Sequence, residues 1–264
     1  MALNKEIGTI EYQERIIQYA KIGDGSKPFV IFPGISLTSI MGSADGIAAA
    51  YSIFLDEYTM YVFDRPLPQN DEYTMDDLVD ERIYVLDYLK ISDAYLAGVS
   101  IGGMIALEIA LKRGDLFKKM VLASSTARVN EKRLTVLKKW EALSNNYDIE
   151  QLNASFYENL FTDNYTAAYR DVILASLNQG TQEDCVYYSR AIRTMYDFDI
   201  LAKISDIDVD ILVMCAENDT IFYPESSREI ADAMNCEYYM YKTYRHGFYD
   251  ETEDYKRKVY AFFS

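Results

Sequence analysis

Histidine is almost absent from this 264-residue sequence, which contains only His246. Cysteine is also sparse, since Cys185, Cys215 and Cys236 are widely spaced and form no CxxC pair. Zinc sites are built mainly from these two residue types, so a metal centre is not expected. An odd number of separated cysteines is more typical of free thiols in a reducing cytoplasm than of a disulfide framework. We therefore expect a cytoplasmic protein with no metal ion and no cofactor.

Positive charge and long apolar runs are also scarce. Lys and Arg number 26 against 42 Asp and Glu, which gives a formal net charge of −16 at pH 7. This balance repels nucleic acid and anionic membrane surfaces. Residues 1–16 lack the apolar core of a signal peptide, and no later segment approaches the length of a membrane span. The remaining expectation is a small-molecule substrate, with no particular oligomeric state indicated.

Short apolar runs alternate with helical patterns over most of the chain, which is 50% hydrophobic and long enough for one domain with an insertion. Segments 9–12 and 15–19 predict a hairpin at a sheet edge. Buried strands are predicted at 29–32, 61–63, 94–97, 119–123, 211–215 and 237–241. Helices are predicted over 36–57, 74–89, 104–112 and 225–234, with a further helix at the C-terminus. This alternation implies a mostly parallel sheet covered by helices on both faces.

The segment from about residue 128 to 204 has a different character. It shows only helical patterns, with apolar and aromatic residues at helical spacing, including 134–143, 152–160, 165–177 and 185–195. Each aromatic stripe by itself indicates helix packing. As a block, the segment predicts a helical cap (128–204) inserted into a core formed by residues 1–127 and 205–264.

The pattern Gly98-Val99-Ser100-Ile101-Gly102 lies where an apolar strand meets a helix. A serine on such a sharp turn needs small neighbours, and the strained backbone directs its oxygen away from the sheet edge. The helix that begins there directs backbone N–H groups toward a developing oxyanion. The pattern therefore predicts Ser100 as a nucleophile.

A serine hydroxyl needs a base, and His246 is the one histidine available. It follows the last predicted strand, with Gly247 beside it. Asp219 follows the strand at 211–215, so it should lie at the same sheet edge and orient the histidine. Three other acids, Asp206, Asp208 and Asp210, precede that strand and should lie at the opposite edge. We therefore predict Ser100, Asp219 and His246 as a catalytic triad.

From about residue 28 onward, the sequence resembles the α/β-hydrolase superfamily, in particular its small serine hydrolases with a helical cap. The resemblance rests on VIFPG (Val30–Gly34), YVFDRP (Tyr61–Pro66), GVSIGG (Gly98–Gly103), ILVMCAEND (Ile211–Asp219) and RHGF (Arg245–Phe248). The chain order Ser, Asp, His is the order of that fold. The resemblance implies an oxyanion hole formed by the backbone N–H groups of Ile35 and Ile101.

The sequence departs from the family pattern at three places. Pro33-Gly34 stands where many relatives have His-Gly, which leaves Ser36 as the alternative to Ile35 in the oxyanion hole. Relatives often have Pro before the seventh strand and Gly after it, whereas Val209 or Asp210 and Ala216 stand here. None of these changes removes a reacting group.

The expected activity is hydrolysis of a small ester, thioester or amide through an acyl-enzyme, as in a carboxylesterase. Two alternatives stay open: a C–C bond hydrolase or non-hydrolytic enzyme of the same fold, and a non-catalytic ligand-binding member. Superfamily members with a carboxylate nucleophile are disfavoured, because Ser100 occupies the nucleophile position.

Overall fold

The computed structural model describes residues 4–13 and 15–264. The strands are β1 (Lys5–Tyr12), β2 (Arg15–Ile22), β3 (Lys27–Phe32), β4 (Tyr58–Phe63), β5 (Ala94–Val99), β6 (Phe117–Ala123), β7 (Asp210–Ala216) and β8 (Glu237–Tyr241). The helices are α1 (Ala44–Ala50), α2 (Met75–Tyr88), α3 (Ile101–Arg113), α4 (Glu131–Asn145), α5 (Ile149–Leu160), α6 (Asp163–Ala168), α7 (Arg170–Ser176), α8 (Gln182–Arg193), α9 (Tyr223–Met234), α10 (Phe248–Glu251) and α11 (Glu253–Phe263).

The strands form one sheet in the order β1-β2-β4-β3-β5-β6-β7-β8. The predicted edge hairpin is present, because β1 and β2 pair in antiparallel fashion. β2 also pairs antiparallel with β4, and every later pair is parallel. The predicted α/β class with a mostly parallel sheet is therefore confirmed.

Both faces of the sheet are covered, as alternate residues of β3 illustrate. Val30 and Phe32 belong to a core with the side chains of α2, α3 and α9. Phe29 and Ile31 belong to a second core with α1 and α11, where Phe29 contacts Phe263 with ring centroids 5.3 Å apart. A strand that is buried on both faces has no solvent-facing side on which polar residues would alternate with apolar ones. This accounts for the continuous apolar run of β3.

The region 36–57 differs from the long helix predicted there. The structure has only α1, flanked by single 3-10 turns at Met41–Ser43 and Ser52–Phe54, and residues 33–40 form a loop. The apolar residues of this region do pack as the pattern suggested, since Ala44, Ala48, Tyr51 and Phe54 are all buried. The loop is held by contacts from Asp64 and Arg65, which follow β4.

Five helices, α4 to α8, lie between β6 and β7, where the sequence predicted helices only. The single helix expected over 165–177 is divided at Tyr169 into α6 and α7. At the base of the segment, Val129 donates to the Phe198 carbonyl (2.8 Å) and Ile200 to that of Ala127 (2.9 Å). The segment in which the chain leaves the sheet therefore lies next to the segment in which it returns. The division at 128 and 204 stays a prediction.

The three cysteines have free thiols in the structure. Cys185 and Cys215 are buried, and burial raises the pKa of the Cys215 thiol to about 11. A thiol held protonated in this way is a poor nucleophile. No helix within residues 4–13 and 15–264 is both long enough and apolar enough to cross a membrane.

Candidate active site

Ser100 lies at the turn between β5 and α3 in a strained backbone conformation, with φ 55° and ψ −123°. Side-chain-bearing residues rarely adopt this region, and such outliers cluster at functional sites. The turn is possible because glycines stand two residues before and two residues after Ser100. A Cβ on Gly98 would lie 2.9 Å from the Gly103 Cα, and one on Gly102 would lie 2.2 Å from the Phe32 carbonyl oxygen. The two glycines of the motif are therefore required by close backbone approaches.

The strained turn is fixed by hydrogen bonds from neighbouring strands. The Ser100 N–H donates to the Ala123 carbonyl of β6 (3.0 Å), and the Ser125 hydroxyl donates to the Ser100 carbonyl (2.8 Å). Gly103 lets Ser125 approach, since a Cβ there would lie 2.5 Å from the Ser125 hydroxyl oxygen. The backbone of Ser100 is thus held on both sides while its side chain has no part in these bonds.

His246 and Asp219 meet beyond the carboxyl ends of the strands, as predicted. The His246 Nδ1 lies 2.8 Å from the Asp219 Oδ2, and both residues are buried. The other carboxylate oxygen accepts from the N–H groups of Ile221 (2.8 Å) and Phe222 (3.2 Å). The histidine backbone is held as well, because the Ser124 hydroxyl donates to its carbonyl (2.7 Å). The two backbone donors, Ile221 and Phe222, therefore fix the orientation of the Asp219 carboxylate toward the His246 ring.

Ser100 and His246 line one narrow pocket, together with Gly34 and Ile35. Its remaining walls are Trp140, Phe156, Leu160, Ile221 and Tyr249. Among the described residues, the Ser100 hydroxyl and the His246 Nε2 make no hydrogen bond. Such bonds are often long in enzymes without substrate and shorten when it binds. The structure therefore brings all three predicted triad residues to one place.

The loop after β3 passes beside Ser100. A Cβ built on Gly34 would lie 3.4 Å from the Ser100 Cβ. Within the described chain, the N–H groups of Ile35 and Ile101 donate to no protein acceptor, so both are free for an oxyanion. Ser36, the alternative to Ile35, does not line the pocket of Ser100. This arrangement favours Ile35.

The YVFDRP segment holds this loop in place, a role the sequence did not reveal. Asp64 is buried and accepts from the Ser39 hydroxyl (2.6 Å) and from the N–H groups of Ile40 (2.9 Å) and Arg65 (2.8 Å). Arg65 in turn donates to the Leu37 carbonyl and pairs with Asp184 of α8. These two side chains connect the loop to β4 and to the inserted helices.

The carboxyl end of α5 is attached to the histidine loop by several polar contacts. The Gly247 N–H donates to the Leu160 carbonyl (2.8 Å), and Arg245 donates to the Phe161 carbonyl (2.6 Å). The Glu251 carboxylate accepts from the N–H (2.8 Å) and the hydroxyl (2.7 Å) of Thr162. Gly247 is needed here, because a Cβ would lie 2.9 Å from the Phe161 ring. α5 is thus a fixed wall of the site.

A larger cavity of about 320 Å³ adjoins the pocket of Ser100. The two spaces share walls formed by Gly34, Ile35, Phe156, Leu160 and Tyr249. The cavity is bounded by the loop after β3, by α1, by α5 and by α10. Its volume is that of a small-molecule binding pocket. A substrate bound at Ser100 can therefore extend into it.

Tyr249 and Asp250, which line this cavity, were missed by the sequence reasoning. They directly follow the RHGF segment, so proximity to His246 was the available signal. Asp250 is exposed to solvent, yet enough protein surrounds its carboxyl for desolvation to raise its pKa to about 6. Lys256 opposes that shift and Glu251 adds to it. No hydrogen bond or ion pair with the described residues engages the Asp250 carboxylate.

Comparison with known proteins identifies the family of this chain and several similar proteins. The sequence model of the alpha/beta hydrolase fold family matches residues 63–252. A curated relative, 3-oxoadipate enol-lactonase 2 of Acinetobacter baylyi, is 20% identical over 221 residues, which span 81% of this chain and 79% of the relative.

Two solved structures are similar over nearly the whole chain. The enol-lactonase of Burkholderia xenovorans has a TM-score of 0.85 at 18% identity, covering 97% of this chain and 99% of that one. An alpha/beta hydrolase enzyme from a Medee basin deep-sea metagenome library has a TM-score of 0.85 at 19% identity, with 97% of each chain covered. At such identities these structures establish the fold alone. The family match over most of the sequence shows that this chain belongs to the alpha/beta hydrolase family, and that membership supports hydrolase activity.

Proposed function

We propose that this chain is a serine hydrolase that cleaves a small ester, thioester or amide through an acyl-enzyme. The observation that carries the proposal is the hydrogen-bonding distance of 2.8 Å between His246 and Asp219 in the pocket that Ser100 also lines. The strained turn of Ser100 adds support, because strained backbone conformations cluster at functional sites.

In the proposed reaction the Ser100 hydroxyl oxygen attacks the substrate carbonyl, and its proton passes to the His246 Nε2. Asp219 keeps the Nδ1 proton in place and stabilises the imidazolium. The N–H groups of Ile35 and Ile101 bind the oxyanion. The leaving group departs with the proton from His246. Water then attacks the acyl-enzyme while His246 takes a proton from it. The bond to the Ser100 oxygen breaks as that proton passes to the serine, which frees the acid and Ser100.

We further propose that the inserted segment 128–204 acts as the cap of the site. Trp140 and Phe156 from this segment close the pocket over Ser100 and His246. Trp140 is fully buried, and its indole N–H donates to the Ser155 hydroxyl (3.1 Å), which packs α4 against α5. A water-poor pocket of this kind strengthens the contacts of the oxyanion.

A fluorophosphonate probe tests the nucleophile directly. The unmodified protein should be labelled and Ser100→Ala should not. Ser52→Ala removes an exposed serine that does not line the pocket, so it should be labelled as the parent is. A panel of p-nitrophenyl esters of increasing acyl length then measures the pocket. A folded parent protein that resists the probe and hydrolyses none of the esters would overturn the proposal and favour a non-catalytic binder.

A further inference from the structure

The cavity beside Ser100 combines an apolar wall with one charged group. Its aliphatic lining includes Ile35, Ile40, Ile47 and Val62. Asp250 is its one charged lining residue among those the structure describes, and the Asp250 carboxylate is engaged by no protein partner there. Asp250 is exposed to solvent, so its carboxylate is accessible to a ligand and would attract an opposite charge placed beside it. The cavity is therefore suited to an apolar ligand that ends in a group attractive to a carboxylate.

Aromatic rings surround the same space. Tyr51 and Tyr249 line it on the core side, and Phe156, Tyr157 and Phe161 line it from the inserted segment. The Tyr249 hydroxyl lies beside the loop after β3, since a Cβ on Gly34 would lie 3.9 Å from it. Ring faces attract cations, and cages of aromatic residues with a carboxylate recognise ammonium groups.

No lysine or arginine lines this cavity in the described chain. Lys256, the cation that acts on the Asp250 carboxyl, does not line the cavity and lies 3.7 Å from the Glu253 carboxylate. Arg65 is engaged by Leu37 and Asp184, and Arg245 by Phe161 and Asp163. A carboxylate-bearing ligand would thus meet a like charge and find no cation. The net charge of −16 acts in the same direction, because it attracts cations and repels anions over longer distances.

We infer that the cavity selects substrates whose apolar body carries a cationic ammonium group, and that Asp250 is the residue that sets this preference. The inference rests on the proposed function, because the group bound in this cavity is taken to be part of the substrate that is cleaved at Ser100. It excludes substrates that place a carboxylate in this cavity.

Binding to Ser100→Ala protein tests the inference without any turnover. The ligands are hexyltrimethylammonium, hexanol and hexanoate, which share one alkyl chain and differ in charge, with affinity measured by calorimetry at pH 8. We expect the ammonium to bind about tenfold more tightly than the alcohol, the size expected of cation–π and carboxylate contacts at a partly exposed site. Hexanoate should bind most weakly. Equal or weaker binding of the ammonium overturns the inference without recourse to any further variant.

Substitutions then locate the preference. Asp250→Asn should bring the affinities for ammonium and alcohol within about twofold of each other, and Asp250→Glu should retain most of the difference. Asp232→Asn removes the same charge from the exposed surface of α9, away from the cavity, and should leave the preference unchanged. A preference that survives Asp250→Asn, or that is lost in Asp232→Asn, contradicts the role of Asp250.

The two proposals fail independently. Absence of fluorophosphonate labelling together with tight ammonium binding would reject the acyl-enzyme and keep the cation site. Labelling together with equal affinities for the charged and uncharged ligands would keep the acyl-enzyme and reject the cation site.

Discussion

Replacing Asp219 by Asn isolates the contribution of the acid to the proposed chemistry. The Asp219 Oδ1 accepts from two backbone N–H groups, those of Ile221 and Phe222, while the Oδ2 faces the His246 Nδ1 at 2.8 Å. In the variant, the amide carbonyl would stay with the two N–H donors, which require an acceptor. The amide NH₂ would then face the Nδ1.

That arrangement selects the wrong tautomer of His246. A ring that accepts at Nδ1 carries its proton on Nε2, so it cannot take a proton from Ser100. The imidazolium also loses its counter-charge. We expect kcat/KM to fall about 10⁴-fold, the loss known for the corresponding change in serine proteases, which equals about 5 kcal/mol of transition-state stabilisation.

The assay compares kcat/KM for p-nitrophenyl acetate between the parent protein, Asp219→Asn and the surface control Asp232→Asn. Thermal unfolding of each variant establishes that the loss is not one of folding. A folded Asp219→Asn variant with less than tenfold loss of kcat/KM would refute the assignment of Asp219 as the acid, while full activity is expected of the control.

Three further predictions concern the surroundings of the site. Gly102→Ala places a methyl group 2.2 Å from the Phe32 carbonyl oxygen and should lower the free energy of unfolding by about 3 kcal/mol. Gly46→Ala, in open space in α1, should raise the free energy of unfolding slightly. Equal effects of the two substitutions in denaturant titrations would refute the packing argument. Asp64→Ala removes two hydrogen bonds that hold the loop after β3, those from the Ser39 hydroxyl and the Ile40 N–H, and should lower kcat about 100-fold, with partial recovery in Asp64→Asn. Unchanged kcat in a destabilised Asp64→Ala would show that the loop is held by other contacts. The pKa of Asp250 is raised to about 6, so its carboxyl is mostly neutral below that pH. The preference for hexyltrimethylammonium over hexanol should therefore decline as the pH is lowered from 8 to 5, and a preference that does not change with pH would contradict this prediction. The other titratable groups that interact with this carboxyl are Tyr51, Tyr165, Tyr249, Glu251, Tyr255 and Lys256.

Local patterns were sufficient for most of the sheet. The apolar run that became β3 and the capped start of α2 depend on neighbouring residues, since Thr74 and Asp77 form a reciprocal capping box within one turn. The region 36–57 was less predictable. Its small and apolar residues suit a helix, but Asp64 and Arg65, distant in sequence, hold residues 37–40 as a loop. Contacts across such a sequence distance leave no periodic signal.

The sequence by itself determined the fold class and the chemical identity of the candidate triad. Ser100 stands in a motif whose glycines only a sharp turn requires, and His246 has no competitor in the chain. The tertiary structure decided which groups meet: the orientation of Asp219 toward the ring, the loop that carries Ile35 beside Ser100, and the cavity in which Asp250 lies among aromatic rings from both the core and the inserted helices. These features depend on contacts between segments that are separated in the chain, since Asp219 and His246 are 27 residues apart and Ile35 and Ser100 are 65 apart. Strand and helix patterns report only the burial of each residue and carry no information on its partners.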